Sequence, residues 1–156
     1  MFSRRKKQQR TRAATGPDDA EVSTSMAGLA NAFVTGSAQE GHHFDYAVEN
    51  APRLDALVDL FLRSQPSDDV VHSMAVSMGA YVGELIVRNG GGSWTHVPEG
   101  DAPGVRLTSG LVCFPLNKVA KRITIGPTHS IAQFVGVAMA GVLPPGAQPV
   151  KPPRGG

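Results

Sequence analysis

The chain has 156 residues, 41% of them hydrophobic, which is enough for one domain with its own core and short for two. Its single cysteine, Cys113, excludes an internal disulfide framework and points to a reducing, cytoplasmic setting. The net charge of +2 excludes less than it suggests: Arg4, Arg5, Lys6, Lys7, Arg10 and Arg12 put +6 into the first sixteen residues, while residues 17–143 hold seven basic residues against thirteen acidic ones. The pI near 8.9 therefore describes the tails, and a basic nucleic-acid-binding domain surface is not implied.

In chain order, residues 1–21 are basic and then small and polar, without apolar periodicity, and are expected to form a disordered tail. Ser3-Arg4-Arg5 opens like a twin-arginine leader, but polar residues follow where an apolar stretch would be needed. The tail reads as a solubilising arm or, alternatively, as a nucleic-acid contact through its six cations. Met26, Leu29, Ala30 and Phe33 predict a short helix over 25–34, capped from Ser23, Thr24 or Ser25. Leu54, Leu57, Val58, Phe61 and Leu62 predict a helix starting near Ala51, with Pro52 in its first turn and residues 44–50 extended or a separate turn. Gln65-Pro66-Ser67 stops it, and Ser67 with Asp68 and Asp69 starts the next. The two are expected to form an antiparallel hairpin.

The second helix of that pair, over 70–88, has the strongest periodicity in the chain. Val71, Met74, Met78, Tyr81 and Leu85 share one side, which should be core. Ala75, Gly79 and Gly83 make a second, small-residue stripe, and helical glycines cost about 1 kcal/mol each relative to alanine, so a close packing partner is expected. Asn89-Gly90-Gly91-Gly92 ends the helix. Three β-prone runs follow, over 93–97, 105–108 and 111–114, with Ser109-Gly110 as a tight hairpin between the last two. Asn117 is expected to cap a brief helix carrying Lys118, Lys121 and Arg122. Thr128 is expected to cap a final helix over 129–141, whose Gly136 and Ala140 would face the small-residue stripe. The apolar run Ile131–Leu143 is too short for the roughly 20 residues that span a bilayer. Proline-rich residues 144–156 read as a second disordered tail.

No residue set predicts catalysis, a metal or a cofactor. Cys113 alternates with its strand neighbours and should face inward as a small apolar residue. His42, His43, His72, His96 and His129 lack metal-ligand spacing. The glycines at 90–92 follow a helix and precede a strand, the reverse of a phosphate loop. Glu84, the one charge inside the apolar part of its helix, is expected to pair with Lys118, Lys121 or Arg122. Alternatively, Glu84, Trp94, Lys118, Lys121 and Arg122 would line an anion, ligand or partner site, or a hydrolytic pocket with Glu84 as general acid or base, although Trp94 reads first as a sheet-to-helix anchor.

Gly79-Ala80-Tyr81-Val82-Gly83-Glu84, Trp94, Phe114-Pro115-Leu116-Asn117-Lys118-Val119-Ala120-Lys121-Arg122 and Ser130-Ile131-Ala132-Gln133-Phe134 together resemble a family of small bacterial domains, common in actinobacteria. The resemblance covers about residues 44–142. It implies a fold and a bacterial cytoplasmic setting but no activity and no site residue.

The expectation is one α+β domain over 22–143, with the helical hairpin and the C-terminal helix on one face of a three-stranded antiparallel sheet. Its function is expected to be non-enzymatic binding of another protein through an acidic surface or a sheet edge, with no membrane contact.

Overall fold

The computed structural model describes residues 17–100 and 102–141. The six cations of the basic tail and residues 144–156 lie outside that range. The fold is α+β: among the described residues there are five α-helices and a three-stranded antiparallel sheet, with helices packed on the sheet.

Helix α1 runs Asp19–Gln39, much longer than the predicted 25–34. Its cap is Asp18, whose carboxylate accepts from the Glu21 N–H at 2.8 Å, rather than any of Ser23, Thr24 or Ser25. Asp19 and Glu21 sit at the favourable end of the helix dipole and Val22 is buried, so residues 18–21 belong to the domain and not to the tail. A 3₁₀ turn, Val48–Asn50, leads into α2, Ala51–Arg63, which starts where Pro52 predicts.

Helix α3 is Asp68–Gly90. Ser67 holds the cap position with extended backbone but makes no side-chain cap bond, so Asp68 and Asp69 are left to complement the helix end. Gly91, at φ +73°, terminates the helix in the left-handed conformation. Every residue from Met78 to Ile86 is buried, because α1, α4 and the sheet enclose this half of the helix together. By length and composition α3 is also apolar enough to cross a membrane; here its apolar half is core.

Strands β1 Ser93–Val97, β2 Ala102–Arg106 and β3 Val112–Cys113 pair in that order. Strand β2 begins three residues earlier than predicted despite Pro103. Only Val105 and Arg106 pair with β3, so at Pro103 the strand is bonded on one side alone, where a missing N–H is tolerated. The β2–β3 turn is one residue longer than expected: the Gly110 N–H donates to Leu107 O, the Leu107 N–H to Leu111 O, and Gly110 takes φ +91°.

Helix α4, Pro115–Thr124, starts two residues before the predicted Asn117 cap, because Pro115 is pre-set for a first helical position. Helix α5, Ile131–Ala140, is capped by Ser130, which accepts from the Gln133 N–H at 3.2 Å; the predicted cap Thr128 lies in a 3₁₀ turn, Pro127–His129.

Two packing expectations change. The small-residue stripe of α3 does not meet Gly136, whose surroundings are open. A Cβ on Gly79 would come within 2.6 Å of Leu116 Cα in α4, and one on Gly83 would overlap the Trp94 indole. Helix α5 instead meets α3 where Met139 reaches Gly90. The principal helical partners of α3 are α1 and α4, while α2, its partner in the expected hairpin, leans on α5 and α4.

Candidate docking groove between α1, α2 and α3

The predicted site residues fall into three separate arrangements. Glu84 is buried and accepts from Trp94 Nε1 at 2.9 Å through Oε1 and from Arg88 Nε at 3.0 Å through Oε2. Its partner is thus Arg88, one turn along the same helix, and not Lys118, Lys121 or Arg122. Trp94 is the sheet-to-helix anchor: it is 2% exposed, its ring lies on Gly83, and its one donor is satisfied. Both oxygens of Glu84 are therefore engaged, Oε1 in holding β1 to α3 and Oε2 in a pair within α3.

Arg122 is buried and serves α2. Its Nε donates to Asp55 Oδ1 at 2.9 Å and its Nη2 to Asp59 Oδ1 at 2.8 Å. Asp55 also accepts from the Ile131 and Ala132 N–H groups at 3.0 and 2.9 Å and from Ser130 Oγ at 3.1 Å, so one carboxylate satisfies the start of α5 and neutralises Arg122. Asp55 lies outside the apolar stripe that predicts α2. The signal was Asp55 and Asp59 four apart, on the side of α2 opposite Leu57 and Phe61. Lys118 and Lys121 lie on α4, and among the described residues neither makes an ion pair with Glu84. The six tail cations lie outside the described residues.

Cys113 is buried, as its strand alternation predicts, and burial pushes its thiol up to about 12, which keeps it protonated and unreactive. Among the described residues no group of three His, Cys, Asp or Glu is placed to hold a metal.

A concave feature among the described residues lies elsewhere. Because the Asp55–Arg122 network draws α2 toward α4 and α5, a groove of about 370 Å³ is left between α2, the C-terminal half of α1 and the N-terminal half of α3. Phe33, Leu57, Phe61, Val70 and Met74 provide its apolar surface, and Ser37, Ser73 and Ser77 its hydroxyls. No lysine or arginine lines it. Glu40 does, and exposed Asp68 and Asp69 adjoin Val70. Val70 is 49% exposed, high for a valine.

The floor is firm. The ring of Phe33 packs 5.0 Å from Tyr81 and 5.5 Å from Phe44, and Arg53 lies over Phe44 at 4.4 Å. The Tyr81 hydroxyl donates to Asp45 O. Burial, opposed by a hydrogen bond from Asn50, pushes Tyr81 up to about 12. In the sequence Phe33, Leu57, Phe61 and Met74 read as parts of apolar helix faces; the signal was Ser73 and Ser77, polar and four apart on the half of the helix where Val70 and Met74 are apolar.

The sheet edges are less suited to a partner. Asp19 accepts from the His96 N–H of β1 at 3.2 Å, Pro103 removes a donor from β2, and β3 has two residues. Comparisons with models of protein families, with curated proteins and with solved structures found no match.

Proposed function

We propose that this chain is a non-enzymatic, intracellular protein-binding module that takes an apolar segment of a partner protein, flanked by basic residues, into the α1–α2–α3 groove. The observation that carries the reading is the groove itself. It has an aromatic floor, an exposed valine wall, a methionine that can adapt its shape, and acidic neighbours with no lysine or arginine in the lining. An amphipathic helix would set side chains at i, i+4 and i+7 along such a trough, and its lysines or arginines would meet Glu40, Asp68 and Asp69. The blunted sheet edges favour the groove over strand addition. The buried, protonated Cys113 and the resemblance to small actinobacterial domains support a bacterial cytoplasmic setting without membrane contact.

The test is fluorescence anisotropy with synthetic amphipathic peptides whose apolar faces are identical and whose flanks are either basic or acidic. The basic-flanked peptide should bind more tightly and lose affinity as salt rises. Equal binding of both peptides, or none by either, would overturn the reading.

A further inference from the structure

Lys118 stands apart from the other charges of the domain. It is half-buried on α4, and among the described residues no carboxylate lies within ion-pair distance of it. Its nearest polar neighbour is His129 Nδ1, 3.5 Å from Nζ, and the Phe134 ring lies 6.0 Å away. Lys121 and Arg122 are cations on its own helix. Asp55 acts on it from α2 but is engaged, accepting from Arg122, Ser130, Ile131 and Ala132, and Asp59 on the same helix accepts from Arg122. The fixed charges at hand thus leave the ammonium form of Lys118 poorly compensated. Burial and then the Lys121 charge pull it below the usual lysine range, with Asp55 opposing.

We propose that Lys118 is a self-acylating lysine, modified by anionic activated acyl donors of the acyl-phosphate class with His129 as proton acceptor. With His129 neutral and protonated on Nε2, the free amine donates an N–H to Nδ1 and keeps its lone pair for attack. The lone pair forms a bond to the acyl carbon, the acyl C–O bond to phosphorus breaks, and phosphate leaves with that electron pair. The surplus proton on nitrogen passes to Nδ1 and then to water. Lys121, exposed one turn away, supplies the charge that attracts the donor. The product is a neutral amide that removes one cation from beside the Asp55–Arg122 network. This site is independent of the groove.

The experiment is a time course of the full chain with acetyl phosphate near neutral pH, followed by mass spectrometry of Lys6, Lys7, Lys118, Lys121 and Lys151. Lys118 should acylate several-fold faster than Lys121, and its rate should level off at lower pH. His129→Gln should slow Lys118 several-fold and leave Lys121 unchanged. Lys121→Gln should move the Lys118 pH–rate profile upward. A Lys118 rate no greater than that of Lys121, or the same pH profile for both, would overturn the proposal; an unchanged rate in His129→Gln would overturn the role of His129.

Discussion

The two halves of α3 are built from similar amounts of apolar sequence and end in different circumstances. From Met78 to Ile86 every side chain is buried, with α4 at glycine distance on one side and Trp94 on another. From Val70 to Ser77 only Ala75 is buried, and Val70, Ser73, Met74 and Ser77 open on the groove. What separates them is the partner each half meets. Gly79 and Gly83 admit a backbone and an indole to the closed half, whereas the natural partner of the open half, α2, is held elsewhere by Asp55. Packing on a helix is decided by where its neighbours are tied as much as by its own stripe.

The most damaging way to break this contrast is to untie α2. Asp55→Ala leaves Arg122 buried with one remaining carboxylate and removes the acceptor of two N–H groups at the start of α5. The expected loss is about 3–5 kcal/mol, the range for breaking a buried pair, read from urea unfolding. Asp55→Asn, which keeps an acceptor for the N–H groups, should recover part of it.

A smaller effect is expected from closing the glycine gap. Gly83→Ala puts a methyl group into the space of the Trp94 ring, so the indole or β1 must shift and the Trp94–Glu84 bond with it. Overpacking of this kind destabilises by about 1–3 kcal/mol. The check is thermal unfolding together with Trp94 fluorescence, which should move to longer wavelength. The same change at Gly28, whose surroundings are open, should have no such effect.

The closed half also carries a pH signature. Tyr81 is raised from 10.0 to about 12 and Cys113 from 9.0 to about 12, each first by burial. For an acid held protonated by the fold, the stabilisation is fully present below the unfolded pKa and is lost as pH rises through the folded one. Stability should therefore be level near neutrality and fall between about pH 9 and 12. Tyr81→Phe should remove the part above pH 10. Far-UV circular dichroism against pH, for both proteins, is the check.

How much of this was legible follows the same division. The α+β class, the start of α2, the three-stranded meander and the inward Cys113 all came from local patterns: apolar spacing, Pro52, the glycines at 90–92 and strand alternation. The anchor role of Trp94 came from its position between sheet and helix. Errors arose where a polar partner, near or distant, intervenes. Asp18 and buried Val22 lengthen α1 beyond its apolar stripe, Arg122 is claimed by Asp55 across 67 positions, and Glu84 is claimed by Trp94 and Arg88. The groove was missed for the same reason: an antiparallel hairpin of α2 and α3 is the local expectation, and nothing within either helix records that Asp55 turns α2 toward α5.

The smallest expected effect on stability is also the one that bears on function. Val70→Glu changes a residue already 49% exposed, so its stability change should lie within about 0.5 kcal/mol. Leu60→Glu, at an equally exposed site outside the groove, should do as little. For the basic-flanked peptide the two should part. Val70→Glu inserts an unpaired carboxylate where an apolar side chain would seat, and about 1.4 kcal/mol of desolvation already weakens binding tenfold. A loss of affinity in Val70→Glu alone, at unchanged stability, would tie binding to the open half of α3. Equal losses in both variants would mean that any acidic change on this surface suffices, and the groove would have no special part.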